Sequence, residues 1–202
     1  MKENSKRGQL IIISSPSGGG KDAVIRALLK IFPGSARLVT TTSRPMRPHN
    51  IQGVDYHFIN KKEFEDKIKN NEFLENNFYA GNYYGLEKTR LSEALASHDL
   101  VFTQIEVNGK NNLDKAKIPN LSIFLLPNSL EILKKRIEKR GGISPEVIEE
   151  RLRVAEKEIK ESKTYDYRVM NQEGKLLETV DNVAKIIRKQ LKKPQTLTKN
   201  VK

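Results

Sequence analysis

Lys21 follows three consecutive glycines, Gly18 to Gly20, and opens an amphipathic run, so an ammonium stands at the mouth of a glycine-rich turn. Glycines there let backbone N–H groups converge on one point, and a helix beginning near Lys21 turns its positive end to the same point, which is the chemistry of phosphate binding. Against the pattern G-x-x-x-x-G-K-[ST], Gly20 and Lys21 fit, whereas Ser15 stands at the first glycine and Asp22 at the hydroxyl position. A hydroxyl at that place ligates Mg2+; Asp22 either offers the ion a charged oxygen, repels a polyphosphate, or caps the helix start. The bland alternative is a strand-to-helix turn that happens to carry a lysine.

A second set of donors lies between Thr40 and Phe58, a stretch too polar and too interrupted by Pro45 and Pro48 for a core element. Arginine forks and phenol hydroxyls are what a phosphate monoester needs, so Arg44, Arg47 and Tyr56 read as a second anion site, although loop arginines also occur simply solvated. Glu106 closes the apolar run Leu100-Val-Phe-Thr-Gln-Ile105, a buried parallel strand by character, and ligands bind at the carboxyl ends of such strands. Further on, Arg136 and Arg140 share one helix face at i, i+4, and Arg151 and Arg153 follow the Gly141-Gly142 break.

Positioning these groups takes alternating strands and helices. Leu10 to Ser14 reads as a buried strand, and a helix from Lys21 to Phe32 turns Val24, Ala27, Leu28 and Ile31 inward until Pro33-Gly34 stops it. A short strand is expected near Ala36 to Val39 and a short helix from Lys62 to Asn70 around Phe64 and Ile68. Glu72 to Phe78 and Gly81 to Gly85 read as small antiparallel strands that break the βα rhythm, an insertion placed to cover a substrate. Lys88 to Ser97 returns to helix, Leu121 to Leu126 to strand, and Pro127-Asn-Ser129 opens a helix with Leu130, Leu133 and Ile137 inward. Ser144-Pro145 is an N-cap and first-turn pair for a helix to about Lys163 with Ile148, Leu152, Ala155 and Ile159 as its stripe. Tyr167 to Asn171 is a last strand, and Leu177, Val180, Ala184, Ile187 and Leu191 are expected on one face of the closing helix. There is no internal repeat.

A chain of 202 residues, 37% hydrophobic and 31% charged, suits one soluble α/β domain with small insertions, and no apolar run approaches the roughly 20 residues of a membrane span. The first residues lack a secretory apolar segment, and without cysteine there is no disulfide framework or thiolate chemistry, so a cytoplasmic location is expected. The formal charge of +12 suits nucleic acid, an anionic surface or small polyanionic substrates. Part of it lies on helix faces and part in residues 193–202, read as a disordered basic tail; without aromatic interleaving or a nucleic-acid motif, direct nucleic-acid binding is disfavoured.

Taken together, these stretches resemble the guanylate kinases, nucleoside monophosphate kinases that move a phosphoryl group from ATP to GMP. The likeness covers roughly Gly8 to Leu191 and rests above all on Thr41-Thr-Ser-Arg44-Pro-Met-Arg47, Gly53-Val-Asp55-Tyr56-His-Phe58, Glu72-Phe-Leu-Glu75 and Gly81-Asn-Tyr-Tyr84-Gly85. Arg136-Ile-Glu-Lys-Arg140-Gly141, Arg151-Leu and Tyr165 to Asn171 match later segments. The resemblance implies a three-layer P-loop kinase fold with a central parallel sheet: a core of residues 1–38, 88–134 and 165–192, a small GMP-binding insertion at 39–87 and a helical lid at 135–164. It implies that Ser15, Pro16, Ser17, Gly18, Gly19, Gly20, Lys21, Asp22, Ala23, Arg136 and Asn171 hold ATP, with Asp22 toward Mg2+ and Asn171 near the adenine. Lys21, Arg140 and Arg151 would neutralise the transferring phosphoryl group. Arg44, Arg47, Tyr56 and Tyr84 would hold the GMP phosphate, joined at that site by Thr40, Gln104 and Glu106. Glu75 would accept from the guanine N1–H and amine, a pairing adenine cannot offer.

Three departures from the family stand out. Asp22 replaces the P-loop hydroxyl, as it does in the related ribose bisphosphate phosphokinases. Gln104 and Glu106 stand where two carboxylates are usual. Leu86 and Asn50 each replace a polar family residue, at an expected loss of about 1 kcal/mol of contact apiece. The expected protein is a cytoplasmic, Mg2+-dependent guanylate kinase, monomeric or homodimeric. A kinase of the same architecture acting on a phosphorylated ribose, and a silent phosphate-binding module, are the alternatives.

Overall fold

The computed structural model describes residues 8–79, 81–139 and 144–192; Arg140, the Gly141-Gly142 break and the tail 193–202 lie outside the described residues. The chain opens with β1 (Gln9–Ser14), whose Leu10 to Ile13 are buried without exception. A strand apolar on both faces needs a layer on each side. Ile11 and Ile13 meet Val24, Ile25 and Leu28 of α1 (Lys21–Ile31) and Val180, Val183, Ala184 and Ile187 of α7 (Leu176–Leu191). Leu10 and Ile12 face the other way, onto Leu91 and Leu95 of α3 (Lys88–Ser97) and Leu113 of α4 (Val107–Lys115). Each such side chain contributes roughly 1.5–3 kcal/mol by leaving water.

Between these layers runs a parallel sheet in the order β2 (Ser35–Arg37), β7 (Leu100–Thr103), β1, β8 (Leu121–Pro127) and β9 (Tyr167–Asn171). The central place of β1 puts the turn after it in the crevice at the carboxyl ends of the strands. The stretch read as too polar for a core element, Thr40 to Phe58, lies outside the parallel sheet and contributes two short strands, β3 (Thr41–Thr42) and β4 (His57–Phe58), to a second sheet ordered β4-β3-β6-β5. In it β5 (Phe73–Tyr79) and β6 (Asn82–Glu87) pair antiparallel, with a register shift between Phe73 and Glu75. That bulge makes Leu74 an extra residue and leaves both Phe73 and Glu75 buried. Helix α2 (Lys61–Lys69) backs this sheet through Phe64, stacked on Phe73 at 4.3 Å and on Tyr83 at 5.2 Å; its start is fixed by a reciprocal Asn60–Glu63 capping box.

Helices α5 (Leu130–Lys139) and α6 (Pro145–Glu161) pack on each other, and Ser144-Pro145 do open α6, which passes into a 3₁₀ turn at Ser162–Thr164. Two expected stripes are corrected. In α1 the inward residue is Ile25, while Ile31, in the last turn, is 36% exposed. In α7 Leu177 is 81% and Leu191 48% exposed, and Thr179 and Val183 take inward places beside Val180, Ala184 and Ile187. Helix α4 has no counterpart in the periodicity.

Candidate active site

The carboxyl ends of β1 and β7 open on a cleft of about 550 Å³ whose far wall is the second sheet. At its floor the glycines of the turn serve distinct ends. Gly18 and Gly20 take φ of +83° and +88°, left-handed values that side chains resist, while Gly19 is not left-handed but lies where a Cβ would sit 2.3 Å from Ser15 Oγ. Gly20 is the N-cap of α1, so the positive end of that helix points at the cleft. Lys21 Nζ folds back over the turn, donating to Ser15 O at 2.7 Å, Ser15 Oγ at 3.3 Å and Pro16 O at 3.4 Å. Ser15, Ser17, Gly18, Gly19, Gly20, Lys21, Asp22 and Ala23 all line the cleft.

Asp22 does not cap the helix. Its Oδ1 accepts from Arg37 Nη2 at 2.7 Å, and the carboxylate is half exposed. Gln104, with its amide oriented to satisfy both neighbours, donates to the same Oδ1 at 3.3 Å and accepts from Arg37 at 2.9 Å.

On the far wall Arg44 lies over the rings of Tyr56 and Phe58, at 5.7 and 5.4 Å from their centres, and Tyr84 meets Tyr56 edge-on at 5.9 Å. Arg44 Nη2 donates to Asn50 Oδ1 at 2.9 Å, and the same oxygen accepts from the Arg47 N–H at 3.0 Å. Asn50 was expected to lose a polar contact; it instead organises the arginine loop. Burial raises the Tyr56 hydroxyl well above its usual value and raises that of Tyr84 too, so both are donors at neutral pH. An Arg26–Asp55 ion pair at 3.7 Å ties α1 to this wall. Thr40, Arg44, Arg47, Tyr56 and Tyr84 all face the cleft.

Three carboxylates close the site. Glu75, 6% exposed, is pushed up to about 8 by burial first and by Glu106 second. Glu106, at the N-cap of α4, is likewise raised by burial, with Lys21 and the Asn77 amide, which donates to its Oε2 at 3.0 Å, drawing it back down. Gly109 of α4 leaves room for Glu75: a Cβ there would stand 2.7 Å from Glu75 Oε2. Glu158 of α6 is pushed up to about 7, by burial opposed by Lys21. Two turns earlier on α6, Arg151 lines the cleft with its Nε buried and without a hydrogen-bond partner, a donor short of an acceptor.

The other expected residues stand elsewhere. Arg136 donates to Gly18 O at 3.2 Å from behind the turn, and neither it nor Pro16 is on the cleft wall. Asn171 is buried beneath the turn, Nδ2 donating to Gly19 O at 2.8 Å and Oδ1 accepting from Thr179 Oγ1 at 3.0 Å. Leu86 is fully buried in the core, away from the cleft. Arg153 is an exposed partner of Glu150. Asn77, Gly109 and Glu158 line the cleft unannounced by motif, and Asp55, quoted only as part of the family likeness, lines it too; Asn77 had a signal in its i, i+2 spacing from Glu75, and Glu158 in its i, i+7 spacing from Arg151.

Among the described residues no group of three or more acidic or histidine side chains could hold a metal, and no helix is long and apolar enough to cross a membrane. The family model for guanylate kinase matches residues 7–190. The guanylate kinase of a Nostoc species is 39% identical over 170 residues, 84% of this chain and 85% of its own length. That of Gloeobacter violaceus is 38% identical over 183 residues, 89% and 86% of the two chains. The crystal structure of guanylate kinase from Anaplasma phagocytophilum superposes with a TM-score of 0.75 at 27% identity, covering 93% of this chain and 88% of that one.

Proposed function

The chain belongs to the guanylate kinase family and is an ATP:GMP phosphotransferase, and we propose that it performs the transfer with the residues gathered in this cleft. The observation that carries the assignment of ends is the placement of a buried acceptor, Glu75, and of the P-loop ammonium, Lys21, on one cavity with an arginine–tyrosine cluster on the wall between.

ATP lays its phosphates on the N–H groups of residues 18–23, with Lys21 on the outer ones. The residues 39–87 grip GMP: Arg44, Arg47, Tyr56 and Tyr84 take its phosphate, and Glu75 takes the guanine edge, ionised by the two donors it then accepts from. The helices of residues 135–164 close over ATP, and Arg151 Nε finds its acceptor in the transferring phosphoryl group. An oxygen of the GMP phosphate attacks the γ-phosphorus in line; the bond from that phosphorus to the β–γ bridging oxygen breaks, its electron pair leaving on ADP, and GDP forms. The attacking phosphate is already ionised, with a second pKa near 6, so no general base is required. Lys21 and Arg151, fixed before reaction, meet the charge as it spreads over the equatorial oxygens.

Mg2+ takes one or two carboxylates, substrate phosphate oxygens and waters, and a single half-exposed carboxylate beside Lys21 suits that donor set. Asp22 would hold the ion through the oxygen that Arg37 does not occupy; bound there, Mg2+ supplies neutralisation of the β- and γ-phosphate charge. A coupled assay offering GMP, AMP, UMP and ribose 1,5-bisphosphate with ATP tests the acceptor assignment. Turnover with GMP alone is expected, and preference for ribose 1,5-bisphosphate would overturn the role given to Glu75.

A further inference from the structure

Arg37 belongs to no motif and does not line the cleft, yet three cleft residues converge on it. Its side chain is 11% exposed at the end of β2. Its Nη2 donates to Asp22 Oδ1 at 2.7 Å and to the Gln104 amide oxygen at 2.9 Å, and the Gln104 amide nitrogen donates to the same Asp22 oxygen at 3.3 Å. The Tyr56 hydroxyl lies 3.4 Å from the end of the Gln104 amide that meets Arg37. One nearly buried cation thus stands behind a P-loop carboxylate and, through Gln104, behind the hydroxyl of the opposite wall. We infer that Arg37 is a positioning residue that cancels the charge of Asp22 and pins its carboxylate against Gln104, so that the P-loop can carry an acid without repelling a polyphosphate.

The physical need is plain. A carboxylate in the first turn of α1 shares that helix end with the phosphates it must admit, and two like charges a few ångströms apart cost more as the site loses water. The cation that offsets it must sit on the side away from the ligand, or it would simply be another phosphate donor. Arg37 meets that condition: it reaches Asp22 from β2 and is absent from the cleft wall. The planar fork suits the task, since one guanidinium nitrogen serves two acceptors and holds them in fixed relation. Gln104 accordingly matters for its neutrality, because a second acid there would leave the single guanidinium facing two charges.

The inference rests on the cleft being the ATP site, and the two fail differently. Metal-free ATP, with excess chelator, is titrated into the parent, Arg37→Met, Asp22→Ser and the double variant, with thermal melts to confirm folding. No saturable ATP binding to the parent would overturn the reading of the cleft. With the parent binding, Arg37→Met is expected to weaken ATP about tenfold, the size of couplings between charged groups in contact, Asp22→Ser to tighten it severalfold, and the double variant to return to within about twofold of the parent. If Arg37→Met and the double variant are equally weak, or neither single change moves ATP affinity, Arg37 is only a structural brace. Should Arg37→Met fail to fold, Arg37→Gln replaces it in the same cycle: metal-free ATP binding weakened by it and restored by adding Asp22→Ser supports the charge cancellation, and unchanged affinity overturns it.

Discussion

On the proposed assignment, charge at the phosphate end of the cleft is met by hydrogen-bond donors: backbone N–H groups on two left-handed glycines, Lys21 Nζ and the Arg151 guanidinium, set on α1, α6 and the turn after β1. At the proposed base end the group assigned to the guanine edge is an acid that burial pushes up to about 8. Glu75 stands on a bulged strand of the second sheet, against Gly109 of α4 and near Glu106, and holds a proton until something replaces it. The first end holds its donors before the ligand comes and need only turn them to it. The second becomes an acceptor only when donors arrive, so selection of the base costs a deprotonation that only a two-donor edge repays.

The largest effects should come from breaking the phosphate end. Lys21→Ala is expected to lower kcat on the order of 10²- to 10³-fold and Arg151→Ala on the order of 10²-fold, with melting temperatures unchanged, since both side chains face open cleft rather than core. Near-parental turnover in either would remove that cation from the transition state. At the other end, Glu75→Gln should weaken GMP about 10- to 100-fold, a charge-assisted hydrogen bond's share, and leave ATP affinity within about twofold. Equal losses for the two nucleotides would show a damaged fold instead.

The contrast sharpens with pH. Glu75 titrates near 4.5 when unfolded and near 8 when buried, so the stability it contributes is full below about 4.5 and is lost as pH rises through 8. The parent should therefore lose stability relative to Glu75→Gln between pH 5 and 8 in denaturant melts. Binding GMP should release a proton, with affinity rising by about fivefold from pH 7 to 8, above the titration of the GMP phosphate; a flat parental profile over that range would refute the assignment. The smallest change is Gly109→Ala, whose methyl would push the Glu75 carboxylate off its seat: GMP affinity should fall about threefold to tenfold with ATP unaffected, and isothermal titration of both nucleotides would show it.

The same contrast explains what could be read in the chain itself. Strand β1, the glycine turn and the start of α1 form one local unit, in which each residue's task depends on neighbours a few positions away, and Leu10 to Val24 was legible as a phosphate site. Arg44, Arg47, Tyr56, Tyr84 and Glu75 were legible only through likeness to a family, because what brings them together is the pairing of β3 with β6 and of β6 with β5. Arg37 was out of reach altogether: Asp22 is 15 positions behind it, and Gln104 reaches it only through the pairing of β2 with β7. Helix α4 was missed because Asn108, Lys110, Asn111 and Asn112 swamp its apolar period, although Lys110 is 4% exposed, its charge met by Asp114 and the Thr164 carbonyl. Asn171, expected at a base, turned out to spend both polar atoms on the chain.

That last contact bears on how the protein is made. Asn171 Nδ2 holds the Gly19 carbonyl across 152 positions of sequence, and Thr179 of α7 in turn holds Asn171. During synthesis the glycine turn leaves the ribosome 152 residues ahead of Asn171, which braces it from below. At 5–20 residues per second, roughly 8 to 30 seconds separate the two. Through that interval the nascent chain carries the whole phosphate-binding motif without its Asn171 brace, so a truncated product ending before β9 would hold every P-loop residue and still leave the Gly19 carbonyl without that hydrogen bond.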